Sequence, residues 1–101
     1  MNKEESNMKR YLTRGINEQI PIELQLFCWQ CYDTAKGTGK YDYLQVFELK
    51  ILDEQIQQVE HRQEVPEYNQ VYQLRSINPI EQKIFIIDEG AYATMLLAEE
   101  Y

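Results

Sequence analysis

Beyond Lys40 the chain offers one strand-forming run after another and no second place for a long helix. That asymmetry limits the fold more than any other feature of the sequence. Residues 43–52 begin apolar on both faces and then alternate, and Asp53-Glu54-Gln55 supplies a turn into residues 56–63, so this stretch predicts a hairpin. Pro66 closes the second arm, residues 70–75 give another strand around Val71, Tyr72 and Leu74, and Asn78-Pro79 marks the next break. Ile84-Phe85-Ile86-Ile87 is a continuous apolar run between Lys83 and Asp88, the pattern of a strand buried on both faces. Propensity is divided over residues 92–98, since Met, Leu and Ala favour helix while Tyr and Thr favour strand. The short connection through Gly90 favours a hairpin with the preceding run, and hence a strand.

Upstream, Tyr11-Leu12-Thr13-Arg14 is β-prone and ends at Gly15, a short first strand. One helix follows, over about residues 20–36. Pro21 and Glu23 suit its first turn, and Gly37-Thr38-Gly39 suits its end. Leu24, Phe27, Cys28, Cys31 and Ala35 share a core-facing stripe. Ile22, Leu26 and Trp29 form a second stripe, and if the sheet leaves it uncovered it becomes a surface for a partner or a second copy of the chain. Residues 1–9 hold little to bury beyond two methionines and read as a disordered tail. The expectation is a single α+β domain over residues 10–101: a curled, mainly antiparallel sheet of five to six strands packed against one main helix.

Cys28-Trp29-Gln30-Cys31 has the spacing of a redox pair or half a zinc site. A dithiol oxidoreductase places its first thiol at a helix N-terminus, where the macrodipole stabilises the thiolate. These two cysteines fall two to three turns inside the helix, and a zinc site would need four ligands where the chain has one histidine and no further cysteine. The thiols therefore read as small buried hydrophobes, and no metal or cofactor is expected.

Ten basic against seventeen acidic residues give a formal charge of −7, a field that repels phosphate backbones and anionic membrane surfaces. Nucleic acid and membrane are not expected partners; a protein is, and this charge would suit one with a basic surface. The cysteine usage and the lack of a long apolar run suit the cytoplasm. Eight tyrosines at positions 11, 32, 41, 43, 68, 72, 92 and 101 suit either a small sheet protein or an interface.

The polar constellation that merits weighing is His61-Arg62-Gln63-Glu64-Val65-Pro66-Glu67-Tyr68, at a strand end entering a proline-containing loop. His61, Arg62, Glu64, Glu67 and Tyr68 are candidate binding residues there, with Arg14 a candidate spatial neighbour. On a strand, His61 and Gln63 share one face while Arg62 and Glu64 share the other, which argues against one catalytic cluster, and no catalytic residue is assigned. The leading expectation is a non-catalytic protein-binding module. The alternatives are a small enzyme or ligand binder at this strand end, and self-association through Ile22, Leu26 and Trp29.

Several stretches together resemble a family of small uncharacterised proteins from Gram-positive bacteria, domain of unknown function number 960. They are Arg10-Tyr11-Leu12-Thr13-Arg14-Gly15, Asn17-Glu18-Gln19-Ile20-Pro21 with residues 24–27, Asp42-Tyr43-Leu44-Gln45-Val46-Phe47, His61-Arg62-Gln63-Glu64, Pro66-Glu67-Tyr68, Lys83-Ile84-Phe85 and the segment 94–101. The resemblance implies a cytoplasmic bacterial protein and brings no activity or catalytic residues with it.

Overall fold

The computed structural model describes residues 9–101, and the expected tail, apart from Lys9, lies outside them. The elements in chain order are β1 (Lys9–Leu12), α1 (Arg14–Gln19), α2 (Ile22–Gly37), β2 (Leu44–Asp53), β3 (Ile56–Gln63), β4 (Tyr68–Arg75), β5 (Gln82–Asp88) and β6 (Tyr92–Leu97), closed by a 3-10 turn at Ala98–Glu100. The strands form one open sheet in the order β1-β6-β5-β2-β3-β4. All neighbours are antiparallel except β1 and β6, which are parallel. This is the expected α+β domain with one main helix, and residues 92–97 are the expected strand.

Period-two alternation decides which side of the sheet meets α2. Phe47, Leu49, Val59, Ile84, Ile86, Ala93, Met95 and Leu97 all turn to one face, where they pack with Leu24, Cys28, Cys31 and Tyr32 of α2. Both edges of the sheet reach the helix: Arg10 of β1 lies over the Trp29 ring at 4.7 Å, and Tyr72 of β4 meets Phe27 edge-on at 5.0 Å. The sheet therefore curls around α2.

That curl corrects the expected Ile22, Leu26, Trp29 stripe. Ile22 and Leu26 are 59% and 61% exposed, but Trp29 is 7% exposed, covered by Arg10 and packed edge-on against Tyr32 at 5.7 Å. The β1 edge passes over the C-terminal half of the stripe and leaves the N-terminal half bare.

Helix α1 is a second, shorter helix ahead of the one expected. Thr13 is its N-cap, its side chain accepting from the Ile16 N–H. Glu100 completes the start: its carboxylate accepts from the Thr13 hydroxyl at 2.6 Å, the Gly15 N–H at 3.0 Å and the Leu97 N–H at 2.8 Å. The Thr13 hydrogen bond, followed by that from Leu97, holds this carboxyl below the usual range. At the other end, buried Gln25 donates from Nε2 to the Ile20 carbonyl at 2.8 Å and the Ile16 carbonyl at 3.4 Å, joining α1 to α2.

Gly15 leaves room for this closure: a Cβ there would lie 2.6 Å from Glu100 Oε2 and 2.7 Å from Leu97 Cδ1, so both side chains would have to shift and the Glu100 contacts with them. Gly37 at the end of α2 meets nothing within 4 Å. Gly15→Ala should therefore lower stability by about 1–3 kcal/mol through overpacking, while Gly37→Ala should be neutral or gain a few tenths. Thermal denaturation of the two variants checks this; equal melting temperatures would mean that the Glu100 closure does not hold.

Candidate functional site

The alternation along β3 divides the sequence-predicted constellation between the two faces of the sheet. His61 points inward and is 1% exposed, stacked on Phe47 at 4.5 Å and 8° and meeting Tyr68 edge-on at 5.3 Å. Its Nε2 lies 2.6 Å from Gln45 Oε1. Gln45 Nε2 already donates to the Asp42 carbonyl at 2.7 Å and to Gln63 Oε1 at 2.8 Å, so Oε1 is the acceptor and the imidazole proton is assigned to Nε2. His61 Nδ1 is buried with no partner among the described residues.

Gln63 extends the chain of hydrogen bonds into the loops. Its Oε1 accepts from the Asp42 N–H at 3.2 Å, and its Nε2 donates to the Pro66 carbonyl at 2.7 Å. Asp42 Oδ2 in turn accepts from the Val65 N–H at 3.1 Å. Together these side chains fasten the segment before β2 to the turn between β3 and β4, supplying partners for backbone groups of both loops. Burial pushes the His61 imidazole down to about 4, so it is neutral at physiological pH and a poor base.

The outward residues of β3 stand in different surroundings. Arg62 Nη1 pairs with Glu48 Oε1 at 3.0 Å and Glu60 Oε1 at 3.6 Å on the face opposite α2. Arg62 and Glu64 line a groove of about 270 Å³ with Tyr43, Val46, Lys83 and Phe85. Glu67 and Tyr68 rim an adjoining shallow depression with Arg62 and Glu64. Arg14 is not among them: it sits on α1 beside Glu18 at 2.9 Å, and α1 packs on β6, three places from β3 in the sheet.

Tyrosine divides in the same way. Tyr32 and Tyr41 donate to Asp88 Oδ2 at 2.6 and 2.7 Å, with Lys36 Nζ at 3.3 Å from the same oxygen. Burial alone would raise the Asp88 carboxyl, but the two phenols, the Gly90 N–H and Lys36 outweigh it and hold the group below its usual range. Sequence reasoning passed over Asp88 because, following an apolar run and preceding a glycine, it has the local signature of a turn residue. On the uncovered face, Tyr11 and Tyr92 meet edge-on at 5.5 Å, and Phe85 and Tyr101 at 5.6 Å.

Cys28 and Cys31 are both buried free thiols. Burial raises both, Cys31 to about 11, so neither is a thiolate at neutral pH. Among the described residues no three His, Cys, Asp or Glu side chains gather as metal ligands, and no helix is long and apolar enough to cross a membrane.

A family model described as "Staphylococcal protein of unknown function (DUF960)" matches residues 9–100. The chain belongs to this family. A crystal structure of a protein of unknown function from Enterococcus faecalis is similar to this DUF960 chain with a TM-score of 0.78 at 24% identity, over 100% of this chain and 97% of that one. At that identity the likeness shows the fold alone. No curated protein matches the sequence.

The interior position of its single histidine gives this DUF960 domain a measurable acid response. The folded-state value of about 4 lies below the ordinary ~6.5, so the unfolded chain takes up a proton that the folded chain refuses. The associated stability is complete above about pH 6.5 and is lost as pH falls toward 4, on the order of 3 kcal/mol in all. In a proton NMR titration the His61 ring should show no step above about pH 5; a midpoint near 6.5 would place the ring in water.

Proposed function

We propose that this chain is a non-catalytic protein-interaction module of the bacterial cytoplasm that docks a basic protein on the uncovered face of its sheet. The observation that carries the reading is the one-sided cover: α2 packs one face, while the other presents the Tyr11–Tyr92 pair at the β1–β6 edge, the Phe85–Tyr101 pair at β5, and the Arg62, Glu48 and Glu60 charges on β2 and β3. Aromatic rings flanked by polar groups are the usual make-up of an interface centre and its rim.

Charge supports the nature of the partner. A net charge of −7 favours encounter with a basic surface and opposes phosphate backbones and anionic lipid. The buried thiols are compatible with a reducing compartment. Nothing about His61 favours the enzyme alternative, since its ring is sealed against Phe47 and its Nε2 is taken by Gln45.

The test is retention of proteins from a Gram-positive lysate on the immobilised chain at low and high salt, with the Tyr11→Ala/Tyr92→Ala variant and an Ile22→Ala/Leu26→Ala control. A basic protein should be held by the wild type at low salt, be released at high salt, and bind the tyrosine variant more weakly by about 2 kcal/mol, roughly thirty-fold. Undiminished retention by the tyrosine variant, or loss in the helix control instead, would contradict the assignment of the sheet face.

A further inference from the structure

The outer strand β4 has the composition and register of a surface that recognises itself. It is the edge beyond β3, with no strand on its far side among the described residues. The Ser76 N–H donates to the Gln55 carbonyl across the ladder at 2.9 Å, which sets the alternation: residues 76, 74, 72, 70 and 68 turn their backbone groups toward β3. Residues 69, 71, 73 and 75 therefore turn their N–H and C=O groups outward.

Edge strands are ordinarily blunted by charge, proline, brevity or a bulge. From Tyr68 to Leu74, β4 carries no charge and no proline, and it pairs with β3 through eight unbroken positions. The opposite edge is defended: β1 has four residues, two of them Lys9 and Arg10.

We propose that β4 pairs antiparallel with β4 of a second copy of this chain, about a two-fold axis at Val71. In that register Val71 faces its own copy, Asn69 faces Gln73, and Glu67, the turn residue just before β4, comes opposite Arg75, with each contact repeated by symmetry. On the α2 side, Gln70 faces Tyr72 and Tyr68 faces Leu74. The segment is thus self-complementary in charge at both ends and uncharged between.

Neighbouring registers lose this match. An axis at Tyr72 would set Arg75 against Asn69 and Glu67 against Ile77; an axis at Gln70 would set Arg75 against Val65 and Glu67 against Gln73. Glu67 and Arg75 are both exposed and form no ion pair within the chain among the described residues. Val71 is 48% exposed, so the pairing would remove apolar surface at its centre from water. The axis stands perpendicular to the sheet, so both α2 helices fall on one side and both aromatic faces on the other. The pairing is independent of the partner proposed above.

Sedimentation equilibrium on the whole chain over a concentration series tests the pairing. The wild type should dimerise. Glu67→Arg or Arg75→Glu alone sets like charges opposite each other twice and should weaken the dimer about tenfold or more. An equimolar mixture of the two variants should regain the dimer. In the mixed pair the arginine introduced at position 67 of one copy faces the glutamate introduced at position 75 of the other, and the second contact keeps its native Glu67 and Arg75. Val71→Pro, which removes only an outward N–H, should abolish pairing while leaving the far-ultraviolet spectrum intact. A wild type that stays monomeric throughout, a dimer indifferent to all three substitutions, a mixture that fails to recover, or a dimer lost only in Ile22→Ala/Leu26→Ala would overturn the proposal.

Discussion

Everything in this molecule follows from one sheet having to share one helix. Six strands laid flat would span about 24 Å at ~4.8 Å per neighbour, more than twice the ~10 Å diameter of a helix with its side chains. For both edges to bury apolar surface on α2 the sheet must curl, and the contacts at its margins show that it does, through Arg10 on Trp29 at one edge and Tyr72 on Phe27 at the other. A single core results, closed on the concave side and open on the convex side.

The ends of that concave trough are where backbone polar groups would be stranded, and glutamines fill the need. Gln25, Gln45, Gln57 and Gln63 are all buried. Gln57 illustrates the role: its Nε2 donates to the Lys50, Gln58 and Ile80 carbonyls at 2.9–3.1 Å and its Oε1 accepts from the Ile80 N–H at 2.8 Å, locking the segment before β5 onto β2 and β3. Fully satisfied networks of this kind favour one arrangement of loops over others, because any shift leaves an amide unpaired in a low dielectric. His61 joins this network through Nε2 alone, its Nδ1 being buried without a partner among the described residues, and burial keeps the ring neutral.

Local pattern carried the strands and α2, since alternation and the Pro21 and Gly37 signals act over a few residues. The separation of His61 from Arg62 and Glu64 was legible too, from period two alone; which of the faces is sealed was not, because that depends on where α2 lies. Helix α1 was illegible for a different reason. Its six residues are short and include Gly15 and Asn17, and much of what steadies its start is Glu100, 85 positions away from Gly15. Trp29 was misplaced on an open stripe because helix periodicity shows which residues share a face but not how far a sheet edge will reach over it. Asp88 gathers two phenols and an ammonium from the single stretch 32–41, at least 47 positions before it, a convergence no local window contains.

The two faces of the sheet are unlike: the one against α2 is sealed, its buried glutamines hydrogen-bonded and His61 Nδ1 left unpartnered among the described residues, while the other stands open. A soluble paramagnetic chelate added during proton NMR reads that difference directly, since it broadens ring protons in proportion to their access. Strong broadening is expected of Tyr92 and Tyr101, which are 41% and 75% exposed, and almost none of His61, which is 1% exposed. His61 broadened as strongly as these tyrosines would contradict the sealing, for the histidine would then stand in an accessible site and the sheet would not be closed on that side.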